Sequence, residues 1–181
     1  IIACLSLIFL QVWASDAGSL FGTDKISDMK FLVGDIGANI LNMEAFNRHP
    51  EYRNDAEKLW INRDGPEYSK NRFDIITTMF SLHYLFENKA RLDGFIQNIS
   101  ENLGNDGYFI GVCFDGKSIY NKLEKHLMYE SIEGYKDGSW IWKIIKNYQN
   151  FKNGLPDSEE SLGVPIRVAM RSINKVIEEY L

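Results

Sequence analysis

Cysteine is scarce in this chain and basic residues are outnumbered by acidic ones, and each feature excludes a class of protein. Cys4 and Cys113 are the only cysteines among 181 residues. They are too few for a disulfide framework or a cysteine metal site, so we expect a reducing compartment. The formal net charge is -5, whereas proteins that hold long duplexes by neutralising phosphates are usually basic. Any nucleic acid bound here is therefore expected to be recognised through a small, chemically defined part.

Several common catalytic motifs are also missing from the sequence. We find no cluster with metal-ligand spacing, no serine or cysteine nucleophile with a visible base partner, and no glycine-rich phosphate loop. Internal repeats and low-complexity tracts are absent as well. Hydrophobic residues make up 45% of the chain and aromatic residues 13%. This composition predicts a single globular domain over residues 1–181 with a sizeable core.

The first 14 residues, IIACLSLIFLQVWA, form an apolar run. The run resembles the core of a signal peptide but has no basic leader, and it is too short to span a bilayer. We expect a buried helix here, or a damaged start, and we expect no membrane association. Because the sequence begins at Ile1 and stops at Leu181 within a helical pattern, we expect it to be a fragment.

Alternating strand and helix patterns follow and favour an α/β fold with an open parallel sheet. Apolar runs predict strands, apolar residues at helical spacing predict helices, and the sequence GNDG predicts a turn. The predicted strands cover residues 29–35, 73–80 and 108–114, the helices 92–103 and 118–127, the turn 104–107, a pair of strands or a loop 131–142, and a mixed, finally helical segment 167–181.

Polar side chains follow two of these strands, where open α/β sheets bind ligands. Asp35 ends the first strand, a position from which a carboxylate can contact a nucleoside, although a helix N-cap or a loop residue is the alternative. His83 and Tyr84 follow the second strand and are flanked by Phe80 and Phe86. Such rings suit a flat polar heterocycle, and the alternative is a buried histidine beside a core tyrosine.

Residues 72–123 resemble the core of the messenger-RNA cap guanine-N7 methyltransferases. The resemblance rests on FDI at residues 73–75, MFSLHYLFE at 79–87, DGYFIG at 106–111 and DG at 115–116. FLVGD at residues 31–35 and EYL at 179–181 resemble further segments of the family. The pattern is most similar to members from large DNA viruses and protists. The family's first motif, a glycine-rich loop that lies against the methyl donor, has no match in residues 1–30.

The resemblance implies a role for five residues. Asp35, Met79 and Tyr84 match donor-site positions for S-adenosylmethionine, although the family usually has glutamine at Met79. His83 and Glu179 match positions that hold the cap guanine. The implied fold is the Rossmann-like sheet of class I S-adenosylmethionine-dependent methyltransferases, incomplete at its N-terminus. No catalytic acid, base or nucleophile is implied, because guanine N7 carries a free lone pair.

The implied activity is transfer of a methyl group to N7 of the cap guanosine of mRNA. The implied partners are 5'-capped RNA and other capping-enzyme domains or subunits, and the implied location is the nucleus, or a cytoplasmic viral factory or virion for a viral protein. Two other functions stay open. One is a degenerate, non-catalytic fragment or partner subunit, and the other is a small-molecule methyltransferase of the same fold.

Overall fold

The computed structural model of the chain describes residues 2–5, 10–13, 29–60, 73–172 and 174–181. Its residues form two compact units. The first unit comprises Ile1–Leu82 and Ala90–Cys113, and the second comprises His83–Lys89 and Phe114–Leu181. The single domain over residues 1–181 stays a prediction.

The first unit contains a five-stranded sheet. Its strands are β1 (Ile2–Leu5), β2 (Leu10–Trp13), β3 (Met29–Leu32), β4 (Phe73–Met79) and β5 (Leu103–Val112), in the spatial order β3, β2, β1, β4, β5. β4 is parallel to both β1 and β5, and β2 is antiparallel to β1 and β3. β3 therefore runs in the same direction as the parallel strands. The predicted parallel α/β sheet is confirmed, and the residues after β3 and β4 leave it at the same edge.

The first unit also contains helices, and one of them packs against the sheet. They are α1 (Arg53–Trp60), α2 (Lys89–Asn102) and two 3₁₀ turns, Glu44–Phe46 and Pro50–Tyr52. Phe95 of α2 is buried and meets Phe109 of β5 edge to face, with ring centroids 5.8 Å apart. The helix predicted over residues 92–103 is confirmed by α2. The prediction was possible because the apolar side chains recur at helical spacing.

The second unit contains an antiparallel sheet. Its elements are α3 (Gly116–Leu123), β6 (Ser131–Lys136), β7 (Ser139–Lys146), β8 (Pro165–Met170), β9 (Lys175–Tyr180) and the 3₁₀ segments Leu82–Glu87 and Glu159–Ser161. The strands are hydrogen-bonded in sequence order. Buried side chains of α3, β8 and the connecting and terminal segments form one core: Ile119, Tyr120, Leu123, Tyr148, Val164, Ile166 and Leu181.

Two predicted helical segments are strands instead. Within residues 1–14, β1 and β2 pair with each other, and β1 also pairs with β4. At the other end of the chain, β9 pairs along its length with β8. Short apolar runs do not distinguish a buried helix from a strand by periodicity, and the neighbouring strand supplies the hydrogen-bond partners that decide.

The turn predicted at residues 104–107 is also wrong, because β5 continues through it. The pairing advances from Phe73 to Ile75 on β4 but from Leu103 to Tyr108 on β5. The glycine- and asparagine-rich residues therefore form an irregularity within the strand rather than a turn before it.

Among the described helices, none combines the length and the apolar character that crossing a membrane requires.

Candidate functional site

Asp35 lies in a tight loop three residues beyond the end of β3. Its backbone N–H donates to the carbonyl of Ala45 at 2.7 Å, and its carbonyl accepts from the N–H of Ala38 at 3.0 Å. The side-chain Oδ1 also accepts from the N–H of Gly37 at 3.0 Å. These contacts fix both the backbone and the carboxylate of Asp35 at the carboxyl edge of the sheet.

Arg91 of α2 holds the same carboxylate with two parallel hydrogen bonds. Nη1 donates to Oδ2 and Nη2 donates to Oδ1, each at 3.0 Å. Both side chains are half-buried, and bidentate pairs of this kind are geometrically specific. Sequence reasoning missed Arg91, because its partner is distant in the chain. Only the spacing of Arg91, Gly94 and Asn98, three and then four residues apart, marks a common helix face.

A cavity of about 120 Å³ opens beside this ion pair. Its described lining comprises Gly34, Asp35, Arg48, His49 and Arg91. Pockets that enclose a whole cofactor are larger, about 300–1,000 Å³. The space is therefore too small for a whole cofactor, and the Asp35 carboxylate in its lining can accept a hydrogen bond from an amino group of a ligand.

Met79 is the last residue of β4, and a strained turn follows it. Phe80 has a left-handed φ of 55° and is 73% exposed, which is unusual for a bulky residue. Its N–H donates to the carbonyl of Val112 at 2.9 Å, and Thr78 and Ser81 bond through their hydroxyls at 3.0 Å. Met79 is not among the described residues that line the Asp35 cavity.

His83, Tyr84 and Glu179 lie together in the second unit. Nε2 of His83 is 3.5 Å from Oε2 of Glu179, and the Tyr84 hydroxyl donates to Oε1 at 3.5 Å. His83 is 5% exposed and Glu179 9% exposed. The His83 ring stacks on Phe114 with centroids 4.8 Å apart and an interplanar angle of 24°. Sequence reasoning did not identify Phe114 as part of this cluster.

Burial controls the protonation of the cluster. It lowers the pKa of His83 to about 4, so the imidazole is neutral at pH 7. Burial also raises the pKa of Glu179, and the hydrogen bond from Tyr84 opposes that rise. The pKa of Tyr84 is raised by burial first and then by the Glu179 charge and hydrogen bond. A neutral imidazole and a poorly solvated carboxylate therefore face each other.

Backbone contacts explain how Glu179 reaches this position. Glu179 on β9 pairs with Ile166 on β8, and the N–H of Leu181 donates to the carbonyl of Val164 at 3.0 Å. A Cβ on Gly116 would lie only 2.9 Å from the backbone of Leu181, so only glycine fits there. The end of the chain is therefore held against the start of α3.

Gly163 contacts the segment that carries His83 and Tyr84, and Asp115 begins the helix that follows Phe114. Gly163 has a φ of 76°, which favours glycine, and its N–H donates to the carbonyl of Phe86 at 2.7 Å. Asp115 caps α3 by accepting from the N–H of Ser118 at 2.9 Å. The DG sequence at residues 115–116 is thus explained by two structural needs: Asp115 caps α3, and Gly116 lets the backbone of Leu181 come close.

The predicted site residues are divided between the two units. Asp35 and Met79 belong to the first, whereas Tyr84, His83 and Glu179 belong to the second. The structure brings the last three together, and the ligand roles of all five remain predictions. Among the described residues, no group of three or more His, Cys, Asp or Glu side chains could hold a metal ion.

Comparisons with known proteins identify the family. The model of the mRNA (guanine-N(7))-methyltransferase domain matches residues 30–153. A protein named as a probable mRNA-capping enzyme, from Acanthamoeba polyphaga mimivirus, is 35% identical over 54 residues, which cover 30% of this chain and 5% of that protein.

Two fungal relatives are named as mRNA cap guanine-N(7) methyltransferases. The Aspergillus niger protein is 36% identical over 53 residues, covering 29% of this chain and 9% of its own. The Eremothecium gossypii protein is 33% identical over 72 residues, covering 40% and 16%. This chain therefore matches only a small part of each relative's length.

Proposed function

Since this chain belongs to the mRNA (guanine-N7)-methyltransferase family, we propose that it transfers a methyl group from S-adenosylmethionine to N7 of the 5' cap guanosine of mRNA. The observation that carries the proposal is the buried cluster of His83, Tyr84 and Glu179. A buried carboxylate beside a neutral imidazole is suited to a heterocycle with adjacent N–H donors.

Guanine offers two such donors, the N1–H and the 2-amino group. In the proposal the Glu179 carboxylate accepts from both, and the His83 ring orients the guanosine. Hydrogen bonds to a charged, poorly solvated acceptor are stronger than neutral ones. Methylation at N7 adds positive charge to the ring, so the contact with Glu179 strengthens as the reaction proceeds.

The methyl donor is proposed to be held by Asp35, Met79 and Tyr84. In the proposal one ring of that donor enters the Asp35 cavity, and the carboxylate accepts from an exocyclic amino group. When bound, S-adenosylmethionine supplies an electrophilic methyl group on a sulfonium. N7 has a free lone pair, so no proton is removed first. Catalysis would consist of holding the ligands in line, an orientation effect worth up to about 7–11 kcal/mol.

The proposed partner is a 5'-capped RNA, of which the protein recognises mainly the cap nucleotide. A net charge of -5 favours this limited contact over phosphate neutralisation along a duplex. Other capping domains or subunits would complete the assembly. The nucleus is the proposed location, or a viral factory or virion if the protein is viral.

A methyl-transfer assay tests the proposal. The protein is incubated with methyl-labelled S-adenosylmethionine and RNA that begins with an unmethylated cap, with triphosphate-ended RNA and a panel of small acceptors in parallel. Label recovered as 7-methylguanosine, from capped RNA alone, supports the proposal. Label on a small acceptor favours a small-molecule methyltransferase. Cap binding without transfer favours a non-catalytic partner, and absence of both rejects the proposal.

A further inference from the structure

Three residues on one face of α2 hold the loop that carries Asp35. Asn98 is buried, and its amide donates to the carbonyls of Ile36 at 2.9 Å and Ala38 at 2.7 Å. Its side-chain oxygen accepts from the N–H of Ile40 at 2.9 Å. One side chain thus satisfies three backbone groups of the loop, a role that few other residues can fill.

Gly94 allows the same loop to approach the helix closely. A Cβ at Gly94 would lie 2.3 Å from the carbonyl oxygen of Gly37. No side chain fits that gap without displacing backbone, so the helix and the loop are in direct contact there. Arg91 is three residues before Gly94 on the same face. The loop is therefore fixed on α2 at two points, and Arg91 provides the third, through the carboxylate.

The hydrogen bonds to Asp35 leave one acceptor position open. An ionised carboxylate has about four lone-pair sites. Within the described part of the chain, Oδ1 accepts from Gly37 and from Arg91, while Oδ2 accepts from Arg91 alone. The remaining site is therefore on Oδ2, and Asp35 is one of the residues that line the 120 Å³ cavity.

We propose that Arg91 is a positioning residue that fixes the Asp35 carboxylate, so that the remaining acceptor site of Oδ2 selects a purine with an amino group at position 6. The inference rests on the proposed function, because the adenine of the methyl donor is such a purine. A 6-oxo purine presents an acceptor at the same point and is rejected, since two acceptors face each other.

Titrations monitored by ¹⁵N–¹H NMR with adenosine and inosine, up to millimolar concentration, test this on the 181-residue chain. The parent is expected to bind adenosine about tenfold more tightly than inosine. Arg91→Lys keeps the charge but loses the bidentate geometry, so the ratio of adenosine affinity to inosine affinity should fall towards one while the affinity for inosine is unchanged. Arg91→Gln, which also removes the positive charge, should lower this ratio in the same way. Arg53→Lys, which removes an arginine outside the cavity lining, retains the preference.

The inference is overturned if the parent shows no preference for adenosine, or if Arg91→Lys retains the parent's preference. Loss of dispersed amide signals in both Arg91 variants would also overturn it, because the ion pair would then be needed for folding. A titration of the same samples with GTP reports on the guanine site separately. Adenosine preference without GTP binding would reject the proposed function but leave the role of Arg91 intact.

Discussion

Nε2 of His83 lies 3.5 Å from Oε2 of Glu179, and both side chains are almost completely buried. The two residues come from a 3₁₀ segment and from the last strand of the chain. Neither residue is needed in an apolar core. Burial lowers the pKa of His83 and raises the pKa of Glu179, so that it favours the neutral form of each side chain. Groups kept in such an unfavourable environment are typical of binding and catalytic sites.

Glu179→Ala should weaken binding of a cap analogue such as GpppG at least tenfold while changing the affinity for S-adenosylhomocysteine little. The reason is that the carboxylate is the proposed acceptor for guanine. Calorimetry with both ligands checks this. Glu178→Ala is the matched control, because Glu178 is the exposed neighbour on β9 and contacts Asn147. Equal losses for the two ligands would argue against the assignment of Glu179.

His83→Gln should change the pH dependence of stability and lower methylation of capped RNA. Burial lowers the pKa of His83 from 6.5 to about 4, so the unfolded chain binds a proton that the folded chain does not. The folded state is therefore fully favoured above pH 6.5 and loses stability as the pH falls towards 4, by about 3 kcal/mol from this residue.

Urea denaturation of the parent and His83→Gln between pH 4 and 7 measures this difference. Glu179 contributes with the opposite sign, because its raised pKa favours the folded state at low pH and the contribution is lost as the pH rises. Its contribution is present in both proteins. Parallel stability curves would show that the histidine is not buried in its neutral form.

Met79→Gln should tighten binding of S-adenosylhomocysteine several-fold, because the amide adds a hydrogen-bonding group at a proposed donor-site position. The side chain is 41% exposed, so the substitution should leave the fold unchanged. Met170→Gln provides the control, since Met170 is also the last residue of a strand and is 46% exposed. Identical calorimetric affinities for parent and Met79→Gln would show that this position does not contact the donor.

Lys146→Met should lower the free energy of unfolding by about 2 kcal/mol without affecting ligand binding. Lys146 is only 3% exposed, and Nζ donates to the carbonyls of Leu123 and His126 at 3.1 and 2.8 Å. The substitution leaves these buried acceptors at the end of α3 without a donor. Lys125→Met, at an exposed position nearby, should be neutral. A Lys146→Met variant as stable as the parent would contradict the capping role.

The spacing and runs of apolar residues were sufficient to predict α2 and β4. The spacing of Leu92, Phe95 and Ile99 identified α2, and the apolar run after Phe73 identified β4. β9 was missed because its strand character depends on pairing with β8, which periodicity does not show.

Contacts between distant residues account for what the sequence did not reveal about the site. The family resemblance named His83, Tyr84 and Glu179, but neither composition nor spacing could predict that they meet. The pairing of Asp35 with Arg91 and the stacking of His83 on Phe114 depend equally on the folded chain. Such contacts require coordinates, because each joins segments separated by whole elements.

In the proposed function the carboxylate of Glu179 accepts from the guanine base. GTP and ITP differ only in the 2-amino group, so their affinities measured by NMR titration on the same protein isolate that contact. We expect the parent to bind GTP about tenfold more tightly than ITP, and Glu179→Gln to bind both equally. Equal affinities of the parent for GTP and ITP would show that Glu179 does not bind the guanine base.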